Sequence, residues 1–182
     1  MRDNTRMTKL TQSYMTGEGT GQLLYETIGA CFDRVTSQQS ENTALVVRHQ
    51  DIRWTYAEFR RQVDRLATGL LALDIQPGDR VGVWGPNSYE WVVTQFATAK
   101  IGAILVNVNP AYRTHELEYV LKESRAKVLV LIEAFKSSNY LDMFYEVCPE
   151  AKTSTPGAID SWRFPHLKSV VFIGRTEHPG MF

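Results

Sequence analysis

Gly78-Asp-Arg-Val-Gly-Val-Trp-Gly-Pro-Asn-Ser-Tyr-Glu-Trp91, and after it Ala103-Ile-Leu-Val-Asn-Val-Asn-Pro-Ala-Tyr-Arg-Thr-His-Glu-Leu-Glu-Tyr-Val-Leu121, decide the fold. The apolar run Val81 to Trp84 is strand-sized, and Gly85-Pro86-Asn87 turns the chain. A helix is expected from about Ser88 to Ile101, with Asn87 and Glu90 spaced as a capping box and Gly102 closing it. The pattern then repeats. A strand is expected over Ala103 to Val108, with a turn at Asn109-Pro110. Thr114 is expected to cap a helix to Glu123, supported by Glu118 and Lys122 four residues apart. Strand, helix, strand, helix at this spacing implies right-handed crossovers and a parallel sheet. The nearly continuous apolar runs suit strands covered on both faces.

Working outward, Lys127 to Ile132 is the next strand, and a helix is expected from about Ser138 to Val147. Residues 149–166 look irregular, and a last strand is expected at Ser169 to Ile173, the likeliest bare edge, since nothing after it can add a neighbour except Gly174 to Phe182. On the N-terminal side, Thr55-Tyr-Ala-Glu58 is a capping box opening a helix with Phe59, Val63, Leu66, Leu70 and Leu71 on one face. Before it, Ala44 to Val47 and Ile52 to Trp54 flank Arg48-His-Gln-Asp51 as a β-hairpin. Leu23, Leu24, Ile28, Cys31, Phe32 and Val35 predict a helix over residues 22–37. The fold class is therefore α/β, a mainly parallel sheet with helices on both faces, plus an N-terminal helix and hairpin. Residues 1–21 read as a flexible N-terminus, and residues 22–182 as one unit.

Composition narrows the function. The chain has 182 residues, and its apolar share of 43% can fill one sizeable core. Twenty basic and twenty acidic side chains cancel, so no overall field favours nucleic acid. The longest apolar runs are too short to span a bilayer. Cys31 and Cys148 read as reduced thiols, and the four histidines share no metal-ligand spacing. Arg2, Arg6 and Lys9 among threonines and serines resemble a transit peptide only weakly. Gly17-x-Gly19-x-Gly21 has no preceding strand and no lysine to hold phosphates, so a flexible lead-in is the better reading. Gly82 and Gly85 stand at the wrong offset for a dinucleotide fingerprint. No Gly-x-Ser-x-Gly elbow occurs.

Trp54-Thr-Tyr-Ala-Glu-Phe59 resembles the first core motif of the adenylate-forming enzymes. Gly78 to Ser88 and Ala99 to Tyr112 resemble the stretches that come next in that family. Gly-Pro-Asn-Ser-Tyr, Val-Asn-Pro-Ala-Tyr and Glu-Leu-Glu-Tyr-Val-Leu together look most like the medium-chain acid–CoA ligases of the acyl-CoA synthetase family member 2 type and their bacterial fatty-acyl relatives. The resemblance covers residues 13–150 well and thins over 151–182. It implies the N-terminal subdomain of the adenylate-forming fold and a two-step reaction. A carboxylate attacks the α-phosphorus of Mg-ATP to give an acyl-adenylate and pyrophosphate, and the thiol of coenzyme A then displaces AMP. ATP, Mg²⁺ and coenzyme A are thus implied for the family at full length, with a medium-chain fatty acid as substrate and the mitochondrial matrix, or else the cytoplasm, as location. The family's phosphate loop, Thr-Ser-Gly-Thr-Thr-Gly-x-Pro-Lys, has no match in these residues, nor has its lid lysine. The resemblance therefore supplies no catalytic residue and no metal ligand, and none of these cofactors is expected to bind tightly here. The loop Asn109, Pro110, Tyr112 and Arg113 falls near the family's approach for coenzyme A and is the substrate-side candidate, against the favoured plainer reading that Asn109-Pro110 simply turns the chain and Arg113 is solvated. The reading is an N-terminal ligase portion, inactive alone and prone to self-association. The alternative is a non-catalytic interaction or regulatory module built on the same subdomain.

Overall fold

The computed structural model describes residues 23–182. The flexible segment expected at 1–21, with its glycine stretch and weakly transit-like start, lies outside the described residues. Helix α1 runs Ile28–Gln38, opened by Thr27, whose hydroxyl accepts from the Ala30 N–H. The helix expected from residue 22 thus begins six residues later; Leu23 and Leu24 precede it and are exposed. Strands β1 (Thr43–Val47) and β2 (Ile52–Thr55) form the expected hairpin around Arg48–Asp51, with Asp51 left-handed at the turn. Thr55 and Glu58 close both halves of their capping box at the start of α2 (Tyr56–Ala72).

Strand β3 (Arg80–Trp84) leads to α3 (Tyr89–Ile101), which ends at Gly102 with φ +74°. Here the expected Asn87–Glu90 box is corrected. Ser88 caps α3 by accepting from the Trp91 N–H, and Glu90 is engaged by the Gln50 side chain. Strand β4 (Ile104–Val108) and helix α4 (Thr114–Ser124) follow. Thr114 is not the cap but the first helical residue. Its predecessor Arg113 occupies the capping position, and the Glu116 carboxylate accepts from the Arg113 backbone N–H. After β5 (Val128–Ile132), a two-residue-per-strand hairpin, β6 (Ala134–Phe135) and β7 (Ser138–Asn139), precedes α5 (Tyr140–Val147). That hairpin was not expected, and it moves the start of α5 two residues on from Ser138. Strand β8 is Ser169–Ile173.

The four long strands form one parallel sheet in the order β4-β3-β5-β8. Alternate residues of β3 and β5 serve opposite faces. Val81, Val83, Val128 and Val130 join the core with α1, α2 and α3. Trp84, Leu129 and Leu131 join the core with α4 and α5. Helices thus cover both faces, and β5 is apolar on both because it lies inside the sheet.

Both edges bear on self-association. Strand β8 is not bare: Met181 pairs beside Val170, and Phe182 exchanges backbone hydrogen bonds with Val170 and Phe172. The final residues thus supply the partial cover that length alone did not promise. Strand β4 is the more open edge. The Ile104 N–H points to Asp79, so by strand alternation the backbone groups of Leu105 and Asn107 point away from the sheet. Among the described residues no helix is long and apolar enough to cross a membrane.

Candidate functional site

Ligands of open parallel sheets bind beyond the carboxyl ends of the strands, where successive connections leave in opposite directions. In this sheet that point lies between β3, whose connection runs through α3 to β4, and β5, whose connection runs through α5 to β8. Three loops meet there: 85–88 after β3, 109–113 after β4, and 133–139 after β5.

The 109–113 loop is held internally and from one neighbour. The Asn109 side chain accepts from the Ala111 N–H at 2.9 Å, and its carbonyl accepts from the Tyr112 N–H at 3.0 Å. Asparagine suits this place because its short amide can close such a turn. The Pro110 carbonyl accepts from the Tyr140 hydroxyl at 2.6 Å. Arg113 donates through one guanidinium nitrogen to the Ser138 hydroxyl at 2.9 Å. Tyr112 is half-buried and packs against the core, while Asn109 and Arg113 are exposed. The structure therefore brings all four predicted residues together on one loop, and each contributes to shaping it. Arg113 still has guanidinium N–H groups available to an anion.

Tyr140 and Ser138 were not singled out from sequence, because nothing in local spacing says that they reach back some thirty residues. Tyr140 is fully buried and stacks on Trp84, with ring centroids 3.9 Å apart and planes within 9°. Burial raises its hydroxyl pKa, so it remains a donor. The indole N–H of Trp84 is buried without a protein partner.

The edge is not built to hold a bare phosphate. Helix N-termini attract anions when their N–H groups and dipole are unopposed. Here α3, α4 and α5 carry Glu90, Glu116 and Asp142 in their first turns. Glu116 has its pKa lowered by backbone N–H groups, including its own and that of Arg113, so it is anionic and occupies the donors itself. Among the described residues no group of three acidic, histidine or cysteine side chains is placed to hold a metal ion.

A second feature lies on the α2–α3 face. Gln62, Arg65, Leu66, Tyr89, Glu90 and Val93 wall a groove of about 360 Å³ floored by Val130, Val171 and Ile173. Burial, and then the Glu90 carboxylate, raise the Tyr89 pKa. Its lining comes from residues 62–173 on four elements, so no sequence window could show it.

The AMP-binding enzyme family matches residues 32–172. The human medium-chain acyl-CoA ligase ACSF2, a mitochondrial protein by name, is 45% identical over 161 residues, 88% of this chain and 26% of that protein. Its Danio rerio counterpart is 43% identical over 173 residues, 95% of this chain and 28% of that protein. The chain thus spans about a quarter of the length of these relatives, 26% to 28%. Among solved structures, an acetoacetyl-CoA synthetase from Streptomyces lividans superposes with a TM-score of 0.67 at 25% identity, covering 85% of this chain and 24% of that one. The anthranilate CoA ligase AuaEII, solved with anthranoyl-AMP, gives a TM-score of 0.67 at 24% identity over 84% of this chain and 26% of its own, and shows the fold.

Proposed function

We propose, from the premise that this chain belongs to the AMP-binding enzyme family, that it forms the N-terminal α/β subdomain of a medium-chain fatty acid–CoA ligase. The reaction is carboxylate, ATP and coenzyme A to acyl-CoA, AMP and pyrophosphate, and the location is the mitochondrial matrix. The observation that carries the reading is the 45% identity sustained over 161 residues. A match of that extent takes in the Val-Asn-Pro-Ala-Tyr loop, not only the buried strands.

The described residues do not fit ATP or Mg²⁺. Acids crowd the helix N-termini at the carboxyl edge, and no metal-ligand cluster exists among these residues. What these residues offer is a braced loop at the ligand edge. Tyr140 and Ser138 fix it, Asn109 shapes it, and the exposed Arg113 guanidinium can meet a phosphate of coenzyme A. On this reading the 182-residue chain alone is expected to form no acyl-adenylate.

The test is a chimera in which residues 22–182 replace the matching segment of the human relative. Thioester formation with ATP, coenzyme A and acids of increasing length is expected to peak at medium chains. A folded chimera that makes the acyl-adenylate but passes it only to an amine or an alcohol rules out the acid–thiol assignment.

A further inference from the structure

The amino edge of the sheet, opposite the candidate site, carries a feature that the ligase reading does not use. The C-terminal end of α4 and the loop before β8 enclose a hollow of about 170 Å³, lined by Lys122, Arg125, Arg163 and His166 over Leu121 and Phe164. Lys122 is paired with Glu118 at 2.6 Å. The Glu118 pKa is lowered, first by its hydrogen bond with Lys122 and to a smaller extent by the charge of Arg163. Among the described residues neither Arg125 nor Arg163 has an ion-pair partner within 4.0 Å. The Arg163 guanidinium donates one long hydrogen bond, 3.4 Å, to the Val147 carbonyl. Glu118 is thus the acid paired within this cluster, and Glu123 and Asp160, both exposed, flank Arg125 and Arg163 in the chain.

Beside the hollow stands Trp162, 82% exposed, with the Arg163 guanidinium 5.6 Å from its ring centre. Tyr119, next to Glu118 on α4, is 64% exposed. An exposed indole is costly in water and well placed at a lipid–water boundary, where its ring sits among headgroups. Cations beside such a ring add attraction to an anionic surface. Nucleic acid would call for a longer basic track, and the charge of the whole chain cancels.

We propose that this end of the molecule is a docking surface for an anionic lipid bilayer. Trp162 enters the headgroup layer, and Arg125, Arg163 and Lys122 meet lipid phosphates and carboxylates. The surface lies away from the carboxyl edge, so a docked molecule keeps its 109–113 loop facing away from the bilayer. This inference does not rest on the ligase reading.

The experiment uses the 182-residue chain with vesicles of phosphatidylcholine, with and without phosphatidylserine, followed by co-sedimentation and tryptophan emission. Binding with a blue shift is expected only with phosphatidylserine, and it should weaken as salt rises. Arg125→Asn keeps a residue that tolerates the left-handed conformation at φ +52°. Each cation near the surface is worth about a fivefold change, so this variant should lower partitioning by that factor. Glu118→Gln removes the acid paired with Lys122 and should raise partitioning to a similar degree, with no pellet when vesicles are left out, which separates the gain from aggregation. Trp162→Ser should abolish the shift. Equal binding to uncharged vesicles, or partitioning indifferent to both charge variants, overturns the proposal. So does a spectral response to inorganic phosphate alone with no sedimentation, which would mean a free-anion site.

Discussion

Replacing Tyr140 by Phe removes one oxygen and nothing else. The ring still fills its fully buried place and still stacks on Trp84. What is lost is the 2.6 Å hydrogen bond to the Pro110 carbonyl, which leaves that acceptor without its protein partner. An orphaned buried acceptor costs about 1–3 kcal/mol. Pro110 is half-buried, so water can reach it in part, and about 1–2 kcal/mol is the expected loss. For a chain of this size each kcal/mol is about 2–4 °C, so the midpoint should fall by about 2–8 °C. Tyr145→Phe is the control. Its hydroxyl also donates to a proline carbonyl, that of Pro179 at 2.8 Å, but at an exposed site. The control should stay within about 0.5 kcal/mol of the parent. Urea melts measure both. Hydrogen exchange at Ala111 and Tyr112 should quicken in Tyr140→Phe alone if the bond braces the 109–113 loop. A phenol whose pKa is raised in the folded state stabilises below the unfolded value and loses that contribution as pH rises through the folded one. The parent should therefore shed its advantage over Tyr140→Phe above pH ~10. Equal midpoints and equal exchange for parent and variant would show that the Tyr140 hydroxyl does not brace the loop.

Burial and the neighbouring Glu150 push the Cys148 thiol up to about 11, while Cys31 is half-exposed. A thiol reagent should therefore modify Cys31 in the native chain and Cys148 only on unfolding, and the stability held by protonated Cys148 should drain away as pH climbs from about 9 to about 11; equal native reactivity would show that the site is open. Gly180 has φ +71° and faces the Ala151 carbonyl, which a Cβ would strike. Gly180→Ala should cost at least about 1–2 kcal/mol and release Met181 and Phe182 from β8, read as faster exchange at Phe172 and Phe182; an unchanged melt contradicts this. If copies pair, the open β4 edge is the expected route, so Asn107→Lys should shift light scattering toward monomer. A dimer fraction that this substitution leaves untouched assigns the contact elsewhere.

The parallel sheet was legible because its signals are local and redundant. Val81–Trp84 and Val128–Ile132 are apolar on both faces, and glycine or proline marks the turns beside β3, α3 and β4. The Thr55–Glu58 box was readable for the same reason: both partners lie three residues apart. The misses came where short-range candidates compete or where distant residues meet. Asn87 and Ser88 are both good caps, and Ser88 wins while Gln50, far back in the chain, engages Glu90. The β6–β7 hairpin is too short to show a period. The four loop residues were proposed through resemblance, whereas the partners that hold their loop, Tyr140 and Ser138, needed the folded chain. The cover on β8 came from Met181 and Phe182, whose pairing depends on the left-handed turn at Gly180.

Carboxylate-dependent ATP–pyrophosphate exchange, run side by side on the 182-residue chain and on the chimera with the human relative, decides whether these residues are a ligase subdomain that needs the rest of the enzyme. Exchange with medium-chain acids is expected in the chimera, and none above an empty-vector control for the chain alone. Exchange by the chain alone would contradict this, because phosphate-binding machinery would then reside in these residues. A folded chimera that never exchanges would contradict the ligase assignment itself.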